Sequence, residues 1–279
     1  MARGIMIIGT GPGVGRRTIA AGMCSIFRDM KIRVVPFSAV SVTGRTVVTN
    51  QGEEMARAQA EQAVAAGLTP CSAMNPVLLK PVSESRYRVF FDGKFHAEMS
   101  APEFDTVSGR AWAVAQTARD RLGANHDLFV MEAGWHEEAF SDRNRERFTM
   151  RAARDLRAPV VLVGEADREG GLAFLHDVLV KMGEGFGVVN YRDMVTACVV
   201  NRFQGSLDDL RPKLRRLESE TGVPVIGVVD YQGAGSGESM TGTEWAALLR
   251  DRIDLCFVLR QVGMEACMSY LKSQIREQL

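Results

Sequence analysis

The sequence predicts an α/β fold in which helices flank a doubly wound, mostly parallel sheet. Three observations carry that prediction: β-rich apolar runs alternate with helix-period segments, most neighbouring runs are separated by enough residues for a crossover helix, and the first run opens through a glycine-rich loop into a helix. In chain order, Gly4 to Ile8 reads as a buried strand and Ile19 to Phe27 as an amphipathic helix. Further strands are expected at Arg33 to Phe37, Asp127 to Glu132, Pro159 to Val163, Val195 to Asn201 and Pro224 to Val229, each bounded by turns or helix ends. Helices are expected at Gln51 to Ala66, Pro102 to Leu122, Arg143 to Leu156, Leu172 to Met182 and Leu207 to Thr221, where Ala, Leu and charges recur at helical spacing. Tyr87 to His96 breaks the pattern, because Asp92-Gly93 between two β-rich triplets reads as a hairpin inserted in the helical layer. The Gly- and Ser-rich stretch from Gln232 to Glu238 reads as a linker, which divides the chain into a domain of residues 1–231 and a helical extension of residues 232–279.

Composition narrows the class of partner. With 279 residues, 46% of them hydrophobic and 24% charged, the chain has enough apolar material for one large core. The formal charge is zero, so no basic footprint calls for nucleic acid or an anionic membrane. Cys24, Cys71, Cys198, Cys256 and Cys267 lack metal-ligand spacing, and most lie in apolar stretches as small hydrophobes. No charged leader and no apolar run near 18 residues is present, and a cytoplasmic protein is expected.

The chemistry concentrates in Gly9-Thr-Gly-Pro-Gly-Val-Gly-Arg-Arg-Thr18. A glycine loop between a strand and a helix lets successive N–H groups surround phosphate oxygens, and the helix adds free N–H groups and the positive end of its dipole. Gly9, Thr10, Gly11, Gly13, Gly15, Arg16, Arg17 and Thr18 are therefore the candidate nucleotide-binding residues. A working loop of this kind places Lys on the outer phosphates and a Ser or Thr hydroxyl on magnesium, whereas this chain has Arg16 and Arg17 at those positions. A guanidinium forks onto phosphate oxygens but offers magnesium no lone pair. Two readings of the arginines stand: an anion clamp, or the drift of a lapsed site. His136, beside Trp135, reads as either a general base or an incidental surface residue.

Three further blocks, Gly52-Glu-Glu-Met-Ala-Arg-Ala-Gln59, Gln62 to Gly67 and Met74-Asn-Pro-Val-Leu-Leu-Lys-Pro81, resemble the synthetase domain of cobyric acid synthase. The similarity continues through Asp167-Arg168, Val200 to Gly205 and Thr221 to Val228, so it covers roughly residues 4 to 231. Cobyrinic acid a,c-diamide synthase and the dethiobiotin synthetases form the wider P-loop group. The resemblance implies a P-loop NTPase fold, ATP and magnesium as cofactors, and activation of a carboxylate by phosphorylation before ammonia attacks to give an amide. It also implies that Asn201, Arg202 and Phe203 meet the nucleotide base, that Lys80 orients an acidic corrinoid-like substrate, and that Glu54 and Glu132 stand on the magnesium side. Arg16 would stabilise the transferred phosphoryl group. A homodimer is the family expectation, and with no glutaminase segment in this sequence, ammonia would come free or from a separate glutaminase partner.

Departures from the family pattern fall at the chemistry. Ser38 stands where the family has a second phosphate-facing lysine, Glu132-Ala-Gly-Trp-His136 is shorter than the family's acidic strand end, and Glu165-Ala-Asp-Arg-Glu169-Gly170 is longer. Single electrostatic contacts in such sites are each worth on the order of 3 kcal/mol of barrier. Three functions follow: an ATP-dependent carboxylate–amine ligase, a catalytically inactive nucleotide- or ligand-binding regulator, and a protein that docks a partner through the old active-site face or through the C-terminal extension, with Leu255 to Leu271 as a contact surface.

Overall fold

The computed structural model describes residues 2–134, 142–166, 171–184, 192–233 and 240–267. Six strands form the central sheet: β1 (Arg3–Gly9), β2 (Val34–Phe37), β9 (Leu128–Gly134), β10 (Val160–Glu165), β11 (Val195–Phe203) and β12 (Val225–Asp230). Their order is β12-β11-β10-β1-β9-β2, and every adjacent pair is parallel. The strands are apolar on both faces because helices cover both. Ile5 and Ile7 pack into one core beside α1 (Arg16–Asp29), whereas Met6 and Ile8 point to the opposite core. Chain order reverses at β1 between β10 and β9, which opens a crevice at the carboxyl ends of the strands where ligands settle in this architecture.

A second layer follows β2. Strands β3 (Ser41–Val42), β6 (Val77–Pro81), β7 (Arg86–Phe91) and β8 (Lys94–Ser100) form a four-stranded sheet, and β4 (Thr46–Val48) pairs with β5 (Glu54–Ala56). The hairpin read at Tyr87 to His96 is present, with Asp92 and Gly93 both at positive φ in its turn. The helix read from Gln51 starts later, as α2 (Arg57–Ala65). Gly52 at φ 76° turns the chain, and the buried Asn75 Oδ1 accepts the Ala56 N–H at 2.9 Å, so residues 54–56 extend a strand despite their helix-forming side chains. The long helix expected from Pro102 is interrupted at Val107 into α3 (Ala101–Thr106) and α4 (Ser108–Gly123). The next helices, α5 (Asp142–Asp155), α6 (Gly171–Glu184) and α7 (Leu207–Thr221), lie within two residues of their expected bounds.

Beyond the stretch read as a linker, α8 (Gly242–Arg250) and α9 (Leu255–Gln261) pack into the core on the α1 side. Thr241 and Glu244 cap α8 reciprocally. Gly22 and Gly242 permit the close crossing: a methyl on Gly22 would meet Leu249 at 2.5 Å, and one on Gly242 would meet Ala65 at 2.3 Å. Leu255, Val258 and Leu259 are buried in this core, so they are not part of an open docking face; residues 268–271 of that stretch lie outside the described residues. Among the described residues, no helix is long and apolar enough to cross a membrane.

Candidate functional site

The loop between β1 and α1 is shaped from outside by side chains of distant segments. Gly13 and Gly15 take φ values of 78° and 88°, a region that glycine enters without a Cβ penalty. Three successive carbonyls are then tied down. Arg202 Nη1 donates to Gly13 O at 3.1 Å, Asn201 Nδ2 to Val14 O at 2.8 Å, and Thr18 Oγ1 to Gly15 O at 2.6 Å. In a trans peptide the following N–H points opposite its carbonyl, so the Val14, Gly15 and Arg16 N–H groups are turned away from these anchors. Together with the first turn of α1 they give the loop the backbone arrangement of a nest, the kind of concavity in which anions are held.

Arg202 also pairs with Glu165 at the end of β10, at 3.0 Å, and its guanidinium lies 5.0 Å from the centre of the Tyr231 ring beyond β12. Its φ of 56° is unusual for a non-glycine residue. Phe203 is buried and does not line the cleft; its carbonyl accepts the Tyr231 N–H at 2.9 Å.

Arg16 turns back over Gly9 towards Glu132 at the end of β9. The two side chains are 12% and 7% exposed, and Arg16 Nε lies 3.8 Å from Glu132 Oε2, a charge pair with no hydrogen bond between those atoms. Glu132 Oε1 accepts from Gln59 Nε2 at 2.9 Å. Burial pulls the pKa of the Arg16 guanidinium down, which Glu132 opposes and Arg17 reinforces. Arg17 is exposed on the cleft, so of the two arginines it is the one presented to solvent.

These groups suit an anion better than a metal ion. The free oxygen of Glu132 faces a guanidinium, the Thr18 hydroxyl bonds to the loop itself, and among the described residues no three His, Cys, Asp or Glu gather as a metal site. Magnesium bound through phosphates and one carboxylate would have Glu132 Oε2 as its protein ligand here, and that oxygen lies against the Arg16 guanidinium. Glu54, expected beside Glu132, is instead held by Lys80 Nζ at 2.5 Å and Thr46 Oγ1 at 2.7 Å, and neither Glu54 nor Lys80 lines the cleft. Burial disfavours the Glu54 carboxylate, but hydrogen bonds from Lys80 and Thr46 outweigh that and bring its pKa below the ordinary value. The resemblance assigned these two residues to separate ligands; folding spends them on each other. His136, Asp167 and Arg168 lie outside the described residues.

The cleft has a volume of 1720 Å³. Gly13, Gly15, Arg16, Arg17 and Thr18 line one end of it with Asn201 and Arg202, while Gly9, Thr10 and Gly11 do not reach it. Among the described residues, six arginines and three carboxylates border it in a chain whose formal charge is zero. Sequence reading missed Arg45 and Tyr231, which carry no local motif; Arg57 and Gln59 sat inside a quoted block with no role assigned, and the partner of Gln59 is 73 positions away.

Comparison with known proteins gives one consistent group of relatives. The chain is 34% identical to the cobyric acid synthase of Thermoanaerobacter sp. (strain X514) over 244 residues, 88% of this chain and 47% of that protein. It is 35% identical to the cobyric acid synthase of Desulfitobacterium hafniense over 228 residues, 81% of this chain and 43% of the relative. A probable cobyric acid synthase of Methanosarcina mazei is 34% identical over 229 residues, 82% of this chain and 46% of the relative. The chain thus spans less than half the length of these relatives. No family model matches. Among solved structures, the signal recognition particle receptor FtsY from Elizabethkingia anophelis with GDP is 16% identical, with a TM-score of 0.47 over 88% of this chain and 62% of FtsY. MinD from Pyrococcus horikoshii with Mg-ADP is 14% identical, with a TM-score of 0.45 over 90% and 96% of the two chains. Scores this low carry no inference about ligand or function.

Proposed function

Since the chain is a homologue of cobyric acid synthases over nearly half of their length, we propose that it is a synthetase-like protein that binds a nucleoside phosphate at residues 9–18. Backbone N–H groups and Arg17 hold the phosphates where lysine and magnesium would serve elsewhere. One observation carries this reading: Arg202, Asn201 and Thr18 fix three consecutive loop carbonyls, which leaves the following N–H groups free for phosphate oxygens. Asn201 and Arg202, with Tyr231 beyond them, border the end of the cleft where a base would lie. Calorimetric titration with ATP and ADP, in magnesium or in EDTA, tests it. Affinity within about threefold between the two conditions, roughly 0.7 kcal/mol, supports an arginine-held phosphate; binding that needs magnesium, or no binding, overturns it.

A second reading, turnover, is favoured by the buried carboxylate of Glu132 beside the loop and by a cleft larger than a nucleotide needs. The reaction would be that implied by the family: a substrate carboxylate takes the terminal phosphoryl group of ATP, releasing ADP, and ammonia then displaces phosphate to leave an amide. The ammonia is free or comes from a separate glutaminase. Release of phosphate that requires ATP, a corrinoid acid and ammonia together would establish turnover. Its absence, with nucleotide binding intact, would leave a regulator.

A further inference from the structure

One side of the cleft is walled by the start of α8 and the residues just before it: Met240, Thr241, Gly242, Thr243 and Trp245 all line it. Where this helix meets α1 and α2, three buried polar atoms have no partner among the described residues, namely the indole Nε1 of Trp245 and both amide atoms, Oε1 and Nε2, of Gln62. The two residues are 5% and 1% exposed. Both belong to one three-helix seam. Gln62 stands one turn before Ala65, the residue that a methyl on Gly242 would strike, and a methyl on Gly22 of α1 would stand 3.2 Å from the Trp245 Cβ. An amide or indole N–H buried without a partner loses its hydration and gains no hydrogen bond, so the docked seam is less stable than its apolar contacts alone would make it.

The two ends of α8 are held unequally. At the carboxyl end Arg250 pairs with Asp29 of α1, Arg252 pairs with Asp230 at 2.6 Å, the Asp254 N–H donates to Ile226 O at 2.8 Å, and Ile253 bridges to Gly227 of β12. At the amino end the Thr241 and Glu244 side chains serve the helix's own cap. Among the described residues, no hydrogen bond or ion pair joins residues 240–248 to α1 or α2.

We propose that the amino-terminal half of α8 is a gate on the cleft, hinged at residues 250–254. Burial of Trp245, Ala246 and Leu249 holds it closed, while the unpaired atoms of Gln62 and Trp245 favour opening. Opening parts α8 from α2, lets water reach the Gln62 amide and the Trp245 N–H, and widens the cleft beside Met240 and Thr243. The device is independent of which ligand the cleft takes.

Exchange of indole N–H protons with solvent, followed by NMR on ligand-free full chain carrying isotope-labelled tryptophan, tests the gate, because an indole N–H without a partner is protected by burial alone. Trp112 is the internal reference: it is 6% exposed and its Nε1 also lacks a partner, but it lies on α4 and does not line the cleft. Trp245→Phe and Trp112→Phe assign the two signals. Trp245 is expected to exchange at least about tenfold faster than Trp112. Gln62→Met keeps the length of the side chain and removes the unpaired amide, so it is expected to slow Trp245 exchange about tenfold and leave Trp112 unchanged. Gln62→Leu takes its place if the Met variant does not fold. Equal exchange of the two indoles in the wild type, or Trp245 exchange that neither Gln62 variant slows, would overturn the gate.

Discussion

The guanidinium of Arg202 donates to the carbonyl of Gly13 across 189 positions of sequence, at 3.1 Å. That bond ties the end of β11 to the tip of the phosphate loop, and the same side chain holds Glu165 and covers the Tyr231 ring. A left-handed arginine stores backbone strain of order 1–3 kcal/mol, which the surrounding contacts must offset. The residue is thus a positioning group for the loop. Arg202→Ala is expected to lower nucleotide affinity about tenfold, roughly 1.4 kcal/mol, and inorganic triphosphate affinity to a similar degree, because the loop rather than the base is disturbed. Arg202→Gly loses the same affinity but melts at a higher temperature than Arg202→Ala, since glycine relieves the strain. Titration and thermal melting of both variants check this; equal melting temperatures would remove strain from the account.

Gly13 and Gly15 make a matched pair for testing the loop. Both have positive φ, but a methyl on Gly13 meets nothing within 4 Å, whereas one on Gly15 would sit 2.1 Å from Asn201 Nδ2. Gly13→Ala is expected to lose only the left-handed penalty, about 1–2 kcal/mol. Gly15→Ala adds a collision with the amide that holds Val14 O, so it should abolish nucleotide binding at concentrations where Gly13→Ala still binds. Similar affinities in the two variants would mean that Asn201 does not brace the loop.

Much of the fold was legible because sheet and helix periods differ and glycines mark the ends of elements. The parallel pairing of the six central strands follows from the helices between them, and the hairpin turn follows from Asp92-Gly93. The β4–β5 hairpin was not legible, since Glu54, Met55 and Ala56 favour helix locally and are held extended by Asn75, 19 positions on. The site divides in the same way. Its glycine spacing is local and visible, but the pairings that decide its chemistry, Arg16 with Glu132 and Lys80 with Glu54, join segments that meet only after folding.

The Lys80–Glu54 pair sets a pH dependence. The folded pKa of Glu54 lies below its ordinary value of 4.5, so the carboxylate binds a proton more weakly in the folded state than in the unfolded one. Its stabilising contribution is therefore full above about pH 4.5 and is lost as pH falls through the folded value. Glu54→Gln should flatten the acid limb of a stability–pH profile below about pH 4.5, and change little at pH 7 in nucleotide titrations. An acid limb identical to wild type would show that Lys80 does not stabilise the carboxylate in solution.

Arg16 and Glu132 give the sharpest test of how the loop departs from a metal-dependent one. Glu132 is buried and the Arg16 side chain is only 12% exposed, so removing one partner strands a largely desolvated charge. Glu132→Leu is expected to destabilise the fold by about 3–5 kcal/mol, while Arg16→Met combined with Glu132→Leu recovers most of that, as buried pairs replaced by apolar groups commonly do. Urea denaturation of wild type, single and double variants closes the cycle. The double variant also separates structure from binding: with the guanidinium gone but the loop carbonyls still tied by Arg202 and Asn201, nucleotide affinity should remain within a few-fold of wild type if Arg17 and the backbone hold the phosphates. A collapse of affinity in a well-folded double variant would place Arg16 on the phosphate, with Glu132 as its resting partner.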